Sequence, residues 1–111
     1  MKKTWYMDPK ELHDALVEAK LKGNEPTERV CRLFRTLAEH LTGAPKFSRY
    51  SQHDKEEMVS AALEKLIKNI KNYNPKYAAS VFSYCTRCAE QSFLAYLIKH
   101  YRYINQKRAA A

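Results

Sequence analysis

Glycine is almost missing from this chain, with Gly23 and Gly43 the only two among 111 residues. Few positions can take tight turns, and a 45% hydrophobic content then favours packed helices over a sheet. Long apolar runs are missing as well: none approaches the roughly 20 residues that cross a bilayer. The opening Met1-Lys2-Lys3-Thr4-Trp5 soon meets Asp8 and Lys10, with no hydrophobic stretch of the kind a leader carries. The expectation is a soluble, intracellular protein of one domain, without membrane contact. Cysteine is scarce and odd in number: Cys31, Cys85 and Cys88, in a chain without secretory features, argue for reduced thiols and against a disulfide framework. Catalytic hallmarks are also absent. There is no Gly-rich phosphate loop, no paired-carboxylate motif and no nucleophile with a base and an orienting group, so no enzyme activity is expected.

The most telling shortage is of acid. Residues 65–111 hold nine Lys/Arg and the single acid Glu90, whereas residues 1–64 balance 11 Lys/Arg against 11 Asp/Glu. The basic segment also carries Tyr73, Tyr77, Phe82, Tyr84, Phe93, Tyr96, Tyr101 and Tyr103, eight of the thirteen aromatics. Cations attract phosphates and exposed rings give bases a surface to stack on. A neutral front and a basic, tyrosine-rich back point to one surface for a protein and another for a nucleic acid.

Helical punctuation is clear. Asp8 and Pro9 suit an N-cap and first turn, and Leu12, Ala15, Leu16 and Ala19 recur at helical spacing until Gly23-Asn24. A second helix opens at Pro26-Thr27, carries Val30, Leu33, Phe34, Leu37 and Leu41, and stops at Gly43-Ala44-Pro45. After the loop Lys46–Tyr50, Ser51 and Asp54 read as an acidic variant of the capping box. The third helix then sets Val59, Ala62, Leu63, Leu66, Ile67 and Ile70 on one face, with Glu57, Ser60, Glu64, Lys68 and Lys71 opposite. Tyr73-Asn74-Pro75 breaks it. The last helix, from about Val81 to about Arg102, is apolar over much of its circumference and reads as the central element. Its stripe of Tyr84, Arg87, Gln91 and Leu94 is too mixed for packing alone. The expected architecture is an all-α single compact domain of about four helices over residues 1–105, followed by a disordered basic and alanine tail at 106–111.

Cys85 and Cys88 form a lone CxxC on that last helix. A structural zinc needs four ligands and His100 could supply only a third, so two small core thiols are expected, with no metal and no cofactor. His13, His40 and His53 read as surface residues.

From Phe47 onward the chain resembles region 2 of bacterial sigma factors, most closely the reduced late-transcription sigma factors of T-even phages. The likeness rests on Phe47-Ser48-Arg49-Tyr50-Ser51-Gln52, then Glu57-Met58-Val59, Leu63-Glu64, Ile67-Lys68, Asn72-Tyr73-Asn74 and Lys76-Tyr77, in that order. Tyr84, Thr86, Gln91 and Phe93 continue it, and the resemblance covers about residues 10–105. It implies that the third helix docks on the clamp helices of the largest subunit of core RNA polymerase through Glu57, Ser60, Ala61, Glu64, Ile67 and Lys68. It also implies that the last helix takes the −10 region of a promoter. Tyr84 would stack on an unpaired base beside Arg87 and Gln91, while Arg87, Lys99, Arg102, Lys107 and Arg108 hold phosphates.

The departures are specific. Arg87 and Cys88 stand where housekeeping sigma factors carry two tryptophans, so the strand-separating wedge is altered. Ser60, Ala61 and Leu63 replace polar residues that meet the clamp helices. The 111 residues leave no room for region 4, and coupling to a sliding clamp is not part of the expectation. What the resemblance implies is a minimal sigma factor acting in the bacterial host cytoplasm on late phage promoters, with a phage coactivator as a further partner. Two rivals stand beside it: a sigma-mimicking regulator that blocks host sigma binding, and a helical nucleic-acid-binding domain with no polymerase contact.

Overall fold

The computed structural model describes residues 7–110, with side chains placed for 7–76 and 78–102. Four α-helices follow one another: α1 (Pro9–Leu21), α2 (Glu28–Thr42), α3 (Gln52–Lys68) and α4 (Val81–Ala110). Short 3₁₀ turns lie at Pro45–Phe47, Ile70–Asn72 and Pro75–Ser80, and there is no strand among the described residues. The fold is all-α.

Each of the first three helices starts where a side-chain oxygen takes a backbone amide that has no carbonyl partner. Asp8 accepts from the Lys10 amide at 3.0 Å, Thr27 from Val30 at 3.2 Å and Ser51 from Asp54 at 3.1 Å. Between α1 and α2 the chain turns through two left-handed residues, Gly23 (φ 80°) and Asn24 (φ 66°), residue types that tolerate this conformation.

Three features differ from the sequence expectation. The third helix closes at Lys68 rather than running through Ile70. The Asn69 side chain donates to the Lys65 carbonyl at 3.0 Å, and the next residues tighten into a 3₁₀ turn that still buries Ile70. The capping box is half formed, because the Asp54 carboxylate turns inward to α4 instead of back to the cap. The last helix continues to Ala110, so residues 106–110, expected as tail, extend α4. No glycine or proline follows Pro75 to stop it.

The core lies where the four helices meet. Leu12 and Leu16 of α1, Phe34 and Leu37 of α2, and Met58, Ala62 and Leu66 of α3 are fully buried or nearly so. From α4 come Val81, Cys85, Ala89, Phe93 and Leu97, one every four residues. Phe93 meets the buried ring of Phe47 edge to face at 5.3 Å, which anchors the loop before α3. α4 touches all three other helices, as a central element should, yet it buries one stripe instead of most of its surface. Leu94 and Ile98 stay 52% and 58% exposed.

α3 and α4 share the most extensive contact and run antiparallel, tied by three polar rungs. At the start of α3, Asp54 accepts from the hydroxyls of Tyr96 (3.1 Å) and Tyr101 (3.2 Å). In the middle, the Lys65 ammonium donates to Gln91 at 3.3 Å. At the end, the Tyr84 hydroxyl donates to the Asn69 carbonyl at 3.1 Å. This pairing decides where both candidate surfaces lie.

Candidate functional site

Burying the apolar face of α3 turns its other face to solvent, a direct result of the 3.6-residue period. Glu57, Ser60, Glu64 and Lys68 are exposed there, with Ala61 and Ile67 half-buried beside them. The Lys68 ammonium donates to Glu64 at 3.2 Å, and His53 lies 4.0 Å from Glu57. Ala61, Glu64, Ile67 and Lys68 line a cleft of about 700 Å³ together with Lys65, Asn69, Lys71, Asn72 and, from the α1–α2 turn, Asn24. Four of the six residues assigned to polymerase docking therefore share one concave surface. Glu57 and Ser60 extend it by one turn.

Tyr84 is half-buried. Its ring lies 5.6 Å from that of Tyr73, and its hydroxyl is held by Asn69. Tyr73 in turn hydrogen-bonds His13 of α1 at 2.7 Å, so His13, expected at the surface, is a structural partner. Desolvation, with smaller contributions from Cys88 and Cys85, pushes the Tyr84 phenol up to about 12, and it stays a neutral donor at physiological pH. Beside the ring opens a cleft of about 300 Å³ lined by Asn72, Tyr73, Asn74, Ser80 and Tyr84. Its lining combines two aromatic rings, two side-chain amides and a serine.

Arg87 and Gln91 are exposed on the same stripe of α4, but they face different surroundings. Gln91 is engaged by Lys65, whereas Arg87 lines a shallow cleft of about 290 Å³ with Phe82, Ser83, Thr86 and Glu90. Glu90, the one acid of the basic segment, is paired with Lys46 at 2.8 Å. Lys99 and Arg102 are exposed farther along α4. The side chains of Lys107 and Arg108 lie outside the described residues.

Position on the helix puts Cys85 in the core and leaves Cys88 half-buried beside it. Cys85 is fully buried, and burial above all, with Cys88 nearby, pushes its thiol up to about 12. Such a thiol is a core group with little thiolate to offer a metal. His100 is turned elsewhere, stacked on Tyr96 at 5.4 Å with its Nε2 3.7 Å from Asp54. Among the described residues no group of three or more His, Cys, Asp or Glu is arranged to hold a metal ion, and no helix is long and apolar enough to cross a membrane.

Sequence reasoning missed Lys65, Asn72 and Asn74 as lining residues, and it missed the part of Asp54 in joining α3 to α4. Asn72 and Asn74 flank Tyr73 in the very segment that carries the resemblance, which is a signal that could have found them. Comparison with known proteins adds no relative: no family model matches, and neither a curated protein nor a solved structure matches the chain.

Proposed function

We propose that this protein is a minimal sigma-type promoter factor, a binding protein and not an enzyme, working in the cytoplasm of a bacterial host. The outward face of α3 binds the clamp helices of core RNA polymerase. α4 then presents Tyr84 and its basic residues to the −10 region of late phage promoters. The observation that carries the reading is the cleft beside Tyr84, where the rings of Tyr73 and Tyr84 and the amides of Asn72 and Asn74 line one hollow next to the docking surface of α3. An unpaired base could stack there and meet polar groups at its edge. The resemblance over residues 47–93 supports the same assignment.

Phosphate contacts from Arg87, Lys99 and Arg102 supply position and salt-sensitive affinity, with little sequence information. One stacking ring contributes about 1–3 kcal/mol, while extruding a base costs a few kcal/mol. Strand opening therefore needs the polymerase. Run-off transcription with core enzyme and a template bearing a T/A-rich −10 element is expected to give a defined start. Tyr84→Ala is expected to keep core binding and lose open complex, read by permanganate reactivity. A defined duplex footprint by the protein alone at physiological salt would refute polymerase dependence.

The blocking regulator is favoured by one observation, the tethering of Tyr84 to Asn69 and Tyr73 within its own chain. It uses the α3 face and needs no base capture. Core enzyme plus this protein would then give no start sites while host sigma is displaced.

A further inference from the structure

We propose that Arg49, Tyr50 and Tyr101 form a second docking position for single-stranded nucleic acid, with a base resting on the tyrosine rings and its phosphate on the guanidinium. This rests on the nucleic-acid reading above and extends it to the opposite end of α4.

Among the described residues, these three side chains line a cleft of about 270 Å³. The Tyr50 and Tyr101 rings are 6.0 Å apart and tilted by 47°, an open wedge rather than a closed stack. The Arg49 guanidinium lies 5.4 Å from the Tyr50 ring centroid and donates to the Tyr50 hydroxyl at a long 3.5 Å. Arg49 is exposed, and among the described residues no acid lies within ion-pair distance of it. Its charge remains available to an anion.

What makes the wedge more than two surface tyrosines is its backing. The Tyr101 hydroxyl is committed to the buried Asp54, and the edge of His100 packs on the Tyr101 ring at 5.1 Å. That fixes the ring plane before any ligand arrives and lowers the entropy cost of stacking. Tyr101 still keeps 39% of its surface exposed. Apolar faces with a cation at the rim suit an unstacked base with its phosphate, whereas a paired duplex cannot offer a base face to such a slot.

Tyr84 and Tyr101 stand seventeen positions apart on α4, about 25 Å along the axis and about 100° apart around it. That is about seven nucleotides of strand at the stacked spacing.

The test is fluorescence anisotropy of labelled oligo-dT with the full chain at low ionic strength, helicity being checked by circular dichroism. Tyr50→Leu is expected to weaken binding about fivefold or more, the lower end of losses from removing a stacking aromatic. Arg49→Gln is expected to flatten the dependence of log affinity on log salt by about 0.7. Because Tyr101→Leu could disturb folding, Tyr101→Phe serves as its partner: it keeps the ring face but loses the Asp54 anchor, and a smaller loss than that of Tyr50→Leu is expected if the ring face is what binds. Wild-type binding by Tyr50→Leu and Arg49→Gln, with Arg87→Ala weakened, would sink this site and leave the nucleic-acid reading intact. No binding by the parent chain would sink both.

Discussion

Two neighbouring side chains of α4 hold their protons against alkali. Burial raises Cys85 from 9.0 to about 12, and desolvation raises Tyr84 from 10.0 to about 12. Because the folded values exceed the unfolded ones, the unfolded chain loses these protons first as pH rises. The stability they contribute is complete below pH 9.0 and is lost progressively up to about 12. Urea midpoints are therefore expected to be level with respect to these groups at neutral pH and to fall across that alkaline window. At neutral pH a thiol reagent should modify Cys85 only as fast as the chain opens, which mass spectrometry of timed samples would show. At this scale the sequence was informative about apolar positions and poor about polar ones. Val59, Ala62 and Leu66 announced their burial by spacing, whereas Asp54 looked like an ordinary first-turn acid. Its partners Tyr96 and Tyr101 stand 42 and 47 residues away, a separation that no local pattern encodes.

Helix starts were legible because capping is local chemistry. Asp8, Thr27 and Ser51 need only the amides two or three residues ahead. The end of α3 was not legible, since Ile70 keeps the apolar period after the backbone has left the α-helix. Register between α3 and α4 was equally hidden, being set by the rungs at Asp54, Lys65 and Asn69. The Asp54 rung carries the largest expected effect. Asp54→Ala leaves two tyrosine hydroxyls without their acceptor and is expected to cost about 2–4 kcal/mol in urea denaturation. Asp54→Asn keeps one acceptor oxygen and should cost less. A Lys65→Met change, which removes an exposed rung, should stay within about 0.5 kcal/mol.

Across the whole molecule, the two surfaces differ in what they should respond to. The Glu57–Lys68 face carries acids and bases in balance, while α4 carries exposed cations at Arg87, Lys99 and Arg102. Reversing charge with Glu57→Lys and Glu64→Lys together is expected to weaken capture of core polymerase about tenfold or more. Duplex affinity, measured by anisotropy, should not fall in the same variant. Changing Arg87, Lys99 and Arg102 to glutamine should do the reverse, with the log–log salt slope flattened by about 2–3. The division of charge between the chain's halves was visible in composition alone. That the two halves meet through α3 and α4 was not, because it depends on how these helices are paired.

His13 reaches Tyr73, Tyr73 braces Tyr84, and Tyr84 hangs from Asn69. The earliest helix is thus the distant prop of a ring sixty and more positions downstream. Trimming that prop would let the ring swing, so damage at the front of the polypeptide would surface as failure at the rear, with every contact residue still in place.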